Sequence, residues 1–271
     1  MAPNAPDTGR LVQVRVATFN ILHGRSLSDG RVDISRFADA IRTLDADVLA
    51  LQEVDRDQPR SMRADLTAVA AEAMGAVDYR FVAALAGAAG PTWRAATGRE
   101  QKGTPSYGIA LLSRYPALDW QVVRLPAPPL RMPMRIGQPR PTLVQDEARV
   151  AVAARIQAPG TPLLVATTHL SFVPGWNALQ LWRLCRAMAS APQPVILMGD
   201  LNMEARRAVQ ITGLRALTTE PTFPAHAPSR QIDHILARAV SAAAPGKAVR
   251  LTVSDHLALA VNLAGFSDLA N

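Results

Sequence analysis

Cysteine is nearly absent: Cys185 is the single one in 271 residues, which excludes an internal disulfide and removes any need for an oxidising compartment. Lysine is nearly absent too, with Lys102 and Lys247 alone, so the basic set is almost all arginine. No apolar run approaches the ~20 residues of a membrane span. The segment Met1 to Arg10 is polar and proline-containing, without the charged-then-apolar layout of a signal peptide. It is expected to be a disordered tail, and the expected location is the cytoplasm. Arginine runs interleaved with aromatics are missing as well. The formal charge of 29 − 22 = +7 and the pI of 10.6 favour anionic partners. In so Ala-rich and Pro-rich a chain, however, arginine for lysine looks like the bias of a GC-rich genome, which weakens the case for nucleic acid.

With 49% hydrophobic and 19% charged residues, the chain has the material of a sizeable core and is not a disordered polymer. Short runs rich in Val, Ile, Leu and Ala read as strands: Leu11 to Phe19, Asp47 to Gln52, Tyr79 to Leu85, Ser106 to Ser113, Trp120 to Leu125, Glu147 to Ile156, Leu163 to Thr168, Val195 to Met198, Ile232 to Leu236 and Leu257 to Leu263. Helical spacing puts Phe37, Ile41 and Leu44 on one face after Asp33. It does the same for Leu66, Val69, Ala70 and Ala73 before Gly75, and it makes Leu179, Leu181, Trp182 and Leu184 available for packing in a helix over Trp176 to Met188. Ala86 to Pro105 and the six-proline segment Pro126 to Pro141, with Arg131, Arg135 and Arg140, are expected to be loops.

The chemistry gathers where these apolar runs stop. VRVATF ends at Asn20, VLALQ at Glu53, LLVATT at His169 and VILMG at Asp200 with Asn202, while Asp233 and His234 open one run and Asp255 and His256 precede the last. One polar residue at a strand end is normally a turn or cap. Six such sites suggest one rim carrying carboxylates, amides and imidazoles, the groups that hydrolysis of a phosphate ester uses. The chain has no thiolate-rich or multi-His cluster, so an oxygen-bound divalent cation fits better than zinc. His226, in a Pro-flanked loop, reads as a surface residue.

The motifs TFNI (Thr18 to Ile21), LQEVD (Leu51 to Asp55), YGIALLSR (Tyr107 to Arg114), THLS (Thr168 to Ser171), GDLN (Gly199 to Asn202), IDHI (Ile232 to Ile235) and SDH (Ser254 to His256) resemble, in order, those of the endonuclease/exonuclease/phosphatase, or DNase I-like, superfamily. The resemblance implies an α+β fold, a four-layer αββα sandwich of two mixed sheets, and one domain over residues 11–271. It implies Mg²⁺, with Mn²⁺ as a substitute, held by Glu53 with Asn20 and Asp255. Catalytic roles fall to His169, Asp200, Asn202, Asp233 and His256, with Asp233 orienting His256 and the base left open between Asp200 and His256. By the same resemblance Tyr107 and Arg149 contact the substrate phosphate; packing and a surface ion pair are their bland alternatives. His169 has no evident acidic partner, and His234 faces away from Asp233 on a strand and is structural. His23 and Arg25, beside the permissive Gly24, shape substrate choice. Trp176 stacks on substrate, dips into lipid or packs its helix.

Departures from pattern narrow the branch. Met198 before GDLN and QIDHIL further on do not match inositol polyphosphate 5-phosphatases, and the residues around GDLN and Asp233 do not match abasic-site enzymes. The expected activity of this bacterial-looking chain is Mg²⁺-dependent hydrolysis of a nucleic-acid or phospholipid-headgroup phosphodiester by a monomer. A phosphatase on a small phosphate ester, or a non-catalytic anion-binding module, is the alternative.

Overall fold

The computed structural model describes residues 11–90, 92–129, 131–134 and 142–267, so Met1 to Arg10, Arg135 and Arg140 lie outside the described residues. In chain order the first half contains β1 (Leu11–Asn20), α1 (Ile34–Leu44), β2 (Val48–Arg56), α2 (Leu66–Met74), β3 (Asp78–Ala86), β4 (Arg94–Ala95), β5 (Ser106–Ser113), β6 (Ala117–Leu125) and β7 (Met132–Met134). The second half contains β8 (Thr142–Val144), β9 (Arg149–Ile156), β10 (Leu163–His169), α3 (Trp176–Ala187), β11 (Val195–Asp200), α4 (Ala205–Thr212), β12 (Arg215–Ala216), β13 (Asp233–Arg238), β14 (Ser241–Ala242), β15 (Lys247–Val249) and β16 (Ala258–Ser267).

Two sheets result. The first runs β14-β16-β1-β2-β5-β3-β4, with β15 also on β16, and the second runs β12-β13-β11-β10-β9-β6. Each is mixed: β1 with β2 and β10 with β11 are parallel pairs in otherwise antiparallel ladders. Parallel neighbours need a crossover, supplied by α1 for the first pair and α3 for the second.

Alternation along the strands sorts the side chains into layers. Val14, Val16, Val48 and Ile109 of the first sheet meet Val152, Val165, Ile196 and Ile235 of the second in one core. The other face of the first sheet, with Phe19, Leu49 and Leu51, packs on Phe37, Ile41 and Leu66 of the first two helices. That of the second, with Leu164, Ala166 and Leu197, packs on Leu181, Leu184 and Ala208 of the last two. The architecture is the αββα sandwich implied by the motifs.

Local chemistry explains the helix limits. Asp33 accepts from Arg36 N and Asp65 from Thr67 N and Ala68 N, each satisfying donors of a first turn, and α2 stops at Gly75 with φ 70°. Trp182 corrects the packing expected of α3: it is 48% exposed beneath the Arg186 guanidinium, because it stands about 100° around the helix from buried Leu181. The two loop expectations also need correction. Arg94–Ala95 pairs with β3, and Met132–Met134 pairs with Thr142–Val144, so proline-rich composition did not prevent a short two-stranded ladder. Among the described residues, no helix is long and apolar enough to cross a membrane.

Candidate active site

The parallel pairs bring the polar strand ends to one rim. Asn20 lies in register with Gln52, His169 with Asp200, and Asp200 with Asp233 across the antiparallel neighbour. Arg149 opens the strand beside His169, and Asp255 and His256 precede the strand that returns along β1. Beneath them Gln52 Nε2 donates to Thr18 Oγ1 at 3.0 Å and to Thr167 Oγ1 at 3.2 Å, so the two sheets meet there through a buried polar floor.

Glu53 reaches the rim through a β-bulge. The ladder to β5 pairs Leu51 with Ala110 and Val54 with Gly108, leaving Gln52 and Glu53 opposite one residue, and Glu53 has φ 56°. The bulge lets Leu51 and Val54 both pack on the helix side while Glu53 turns into the cavity. Asn20 Nδ2 donates to Glu53 Oε1 and to Asp200 Oδ2, each at 3.1 Å, while its Oδ1 accepts from Leu22 N at 3.2 Å.

His256 Nδ1 is 2.8 Å from Asp233 Oδ2, which also accepts from Thr222 Oγ1, and His256 Nε2 is 3.9 Å from Asp200 Oδ2. Asp200 Oδ1 accepts from Asn202 N at 3.0 Å, and Asn202 donates one amide hydrogen to Leu170 O at 3.0 Å. His169 Nε2 stands 3.6 Å from Asp200 Oδ2. Its Nδ1 is 3.3 Å from an Arg149 guanidinium nitrogen, which can only donate, so Nδ1 accepts and the ring proton is on Nε2. The neighbour of His169 at Nδ1 is thus an arginine, and Asp146 holds that arginine at 2.8 Å.

Electrostatics separate these groups. Burial, then the charge of Asp233, pushes Asp200 up to about 7. Burial disfavours a charged His256 ring, but Asp233, with Asp200 and Asp255, outweighs it and pushes the imidazole up to about 10. Burial and the Arg149 charge hold His169 well below its ordinary value, so it is neutral. Burial raises Glu53, and burial followed by the Glu53 charge raises Tyr107. His234 is fully buried, with Nε2 2.8 Å from Met203 O, outside this constellation, while His226 is exposed.

A cavity of about 910 Å³ brings together Glu53, Tyr107, Arg149, His169, Asp200, Asn202, Asp255 and His256. Asp233 stands behind His256. Tyr107 is 8% exposed and stacks on Trp93 at 5.2 Å, so packing and cavity lining coincide in one side chain. Trp176 Nε1 donates to Pro126 O at 2.9 Å, which ties it to the chain rather than presenting it to a ligand. The sequence reading missed Glu147, Phe223 and Arg230, which also line the cavity. Phe223 lies 4.9 Å from the His256 ring, and the Arg230 guanidinium lies 6.0 Å from the Phe223 ring. Their only sequence signal was proximity to Arg149 and Asp233.

The donors fit a hard divalent cation. Glu53, Asp200 and Asp255 offer carboxylate oxygens to one cavity, and among the described residues Glu53 accepts a single side-chain hydrogen bond, from Asn20, which leaves oxygen lone pairs for a cation. Ligand atoms of Asp200, Asp233 and His256 also lie within 4.8 Å of one another, a further group that could hold a metal ion.

Comparison with known proteins agrees with this construction. The model of the endonuclease/exonuclease/phosphatase family matches residues 17–256, and the chain belongs to that family. No curated protein matches it. Among solved structures, an endonuclease/exonuclease/phosphatase from Beutenbergia cavernae has a TM-score of 0.64 and 24% identity, covering 95% of this chain and 73% of that one. A mannosyl-6-phosphatase from Bacteroides thetaiotaomicron has a TM-score of 0.58 and 18% identity, covering 93% and 100%. D. rerio TDP2 complexed with a single-strand DNA product has a TM-score of 0.60 and 14% identity, covering 93% and 99%. At these identities the likeness is one of fold.

Proposed function

We propose that the protein is a divalent-cation-dependent phosphodiesterase, with residues 11–271 as one catalytic unit, acting on a nucleic-acid or phospholipid phosphodiester. The observation that carries this reading is the convergence at one cavity rim of Glu53, Asp200 and two imidazoles, with His169 Nε2 3.6 Å and His256 Nε2 3.9 Å from Asp200 Oδ2 and Asp233 behind His256 at 2.8 Å; the raised Asp200 carboxyl and raised His256 imidazole agree with it. Asp200, placed between Asn20 and His169, is then the base: a carboxylate near 7 is ionised in part at neutral pH and basic enough to take a proton from water. The water oxygen bonds to phosphorus, its proton goes to Asp200, and the ester oxygen leaves and is protonated by the His256 imidazolium. Asp233 orients that ring and keeps it charged. His169 Nε2 and the Arg149 guanidinium donate to phosphoryl oxygens as charge develops there, and Asn202 fixes the Asp200 carboxylate through its backbone N–H.

Glu53 and Asp255 would hold the cation, Mg²⁺ or Mn²⁺, with Asn20 positioning Glu53 through its amide. When bound, such a cation neutralises charge on phosphoryl and leaving oxygens. A phosphatase on a small ester is the second reading, supported by the likeness to a sugar phosphatase and by a cavity with room for a small phosphorylated molecule.

The test is hydrolysis by purified protein of plasmid, single-stranded DNA, RNA, a choline phospholipid and small phosphate monoesters, each with Mg²⁺ or EDTA, with Asp200→Asn as control. Cation-dependent cleavage lost in the variant supports the reading and identifies the substrate class. EDTA-insensitive anion binding without turnover would make it a binding module instead.

A further inference from the structure

A second cavity, of about 460 Å³, lies beside the first and is lined by His23, Arg25, Gly30, Arg31, Val32 and Arg60. Three of these six residues are arginines and none is acidic. Of the nearby acids, Asp55 neutralises Arg60, Asp29 is taken by Arg36, and Asp33 caps the first helix by accepting from Arg36 N. Fully buried Asp55 takes Nε and a terminal nitrogen of Arg60, both at 2.8 Å, and Asp29 takes both terminal nitrogens of Arg36 at 3.1 and 2.8 Å. Arg25 spends its Nε on Gly30 O at 3.2 Å, and among the described residues neither Arg25 nor Arg31 has an ion-pair partner. The excess positive charge of the cavity is therefore that of Arg25 and Arg31, which no ion pair among the described residues neutralises.

Its shape is held under strain. Leu22 and His23 have φ of 44° and 48°, a conformation rare for side chains of their size. The turn brings the imidazole to the cavity wall, with His23 Nδ1 sealed and without a partner among the described residues. Burial, then the Arg60 charge, pushes that ring down to about 4, so it is a neutral donor or acceptor there.

Residues of the two cavities are linked on two sides. Arg25 O accepts from Ser254 N at 2.8 Å, and Ser254 Oγ donates to Asn20 O at 2.6 Å and accepts from His256 N at 3.0 Å. On the other side the Arg60 guanidinium lies 5.4 Å from the ring of Tyr107, which lines the catalytic cavity.

We propose that the arginine cavity is a second anion subsite, which receives another phosphate group of the substrate whose scissile phosphate sits at Asp200 and His256. The preferred substrates then carry at least two phosphates. This rests on the phosphoesterase reading. Guanidinium forks match phosphate oxygens in geometry as well as charge; Arg31, exposed and without a side-chain hydrogen bond among the described residues, and the terminal nitrogens of Arg25 can turn to a ligand. The second phosphate has two sources: the next phosphate of a nucleic-acid strand, or a second phosphoryl group on a small molecule.

The test measures calorimetric binding to the Asp200→Asn protein, in which turnover is suppressed. Thymidine 3′,5′-bisphosphate is compared with thymidine 5′-monophosphate, and glucose 1,6-bisphosphate with glucose 1-phosphate. At least one bisphosphate should bind about tenfold tighter than its parent, and the advantage should fall below about threefold when Arg25→Ser and Arg31→Ser are added. An advantage confined to the nucleotide pair supports the subsite and assigns it to a strand; one confined to the sugar pair supports it and assigns a small molecule. Bisphosphates that bind no tighter than their parents, or an advantage that survives both substitutions, overturn it. Arg31→Ser alone, which touches no hydrogen bond of its side chain among the described residues, serves if the double variant loses stability. Hydrolysis by the unsubstituted protein is scored separately. If bisphosphate binding depends on Arg25 and Arg31 and nothing is hydrolysed, the phosphoesterase reading fails and the anion site stands.

Discussion

Asn20 and Asp200, from different sheets and 180 positions apart, meet at 3.1 Å through a single amide nitrogen that also serves Glu53. The Glu53 and Asp200 carboxylates each accept from that nitrogen, so the N–H pair of Asn20 is the donor between them. In the metal-free protein, Asn20→Ala should therefore raise the apparent pKa of Asp200, since a hydrogen bond to the charged form is lost. Activity should fall on the order of 10²-fold, with the acid limb of the kcat/KM profile displaced to higher pH. A profile that falls uniformly at all pH values would show that Asn20 does not act through Asp200.

Asp233 governs the alkaline side. With His256 at about 10 and Asp200 at about 7, kcat/KM should be bell-shaped, needing an ionised carboxylate and a charged imidazole. Removing an anion beside an imidazole lowers its pKa, so Asp233→Asn should move the alkaline limb down by at least about one unit. An unmoved limb would separate His256 from the ionisation that limits the reaction at high pH.

Glu53 can be tested without turnover. A cation that binds the folded state alone raises the melting temperature with concentration, so Mg²⁺ should raise it for the native sequence and much less for Glu53→Gln. The same variant should lose on the order of 10² or more in rate. A Mg²⁺ shift equal in both proteins would place the cation elsewhere, with the Asp200, Asp233 and His256 group the first alternative.

Strand-end residues were legible in the sequence because a buried apolar run makes any Asn, Glu, His or Asp at its end conspicuous, and parallel crossovers bring those ends together. The αββα layering came from the ordered motifs, since periodicity alone cannot say which two faces of a sheet are buried. Arg149 was legible by position, but its contact with His169 was not, because pairing between β9 and β10 is a register property that neither strand states alone. Phe223 and Arg230 lie in an irregular segment with no period, so only the folded chain brings them to His256. Helix α4, eight residues long with one buried side chain, gave too short an apolar stripe to read.

Gly199 shows why the GDLN motif opens on glycine. It has φ 139°, and a Cβ placed on it would stand 2.0 Å from Thr168 O in the adjacent parallel strand, which is backbone and cannot give way. Gly199→Ala should cost roughly 2–4 kcal/mol through overpacking and backbone strain, read as a lower urea midpoint. An unchanged midpoint would mean that β10 and β11 can separate without loss.

Asp200 should cost the protein stability in return for its reactivity. Its folded value of about 7 lies above the ordinary 3.8, so the folded state holds the proton more tightly than the unfolded chain. Stability then falls as pH rises through this window, and the loss is complete above about 7. Asparagine has no such ionisation. In EDTA, Asp200→Asn should therefore melt several degrees above the native sequence at pH 8 and close to it near pH 4, while remaining inactive at both. A variant less stable at pH 8 than the native protein would mean that ionised Asp200 is satisfied by Asn20, Asn202 and His256, and would remove the physical reason for naming it the base.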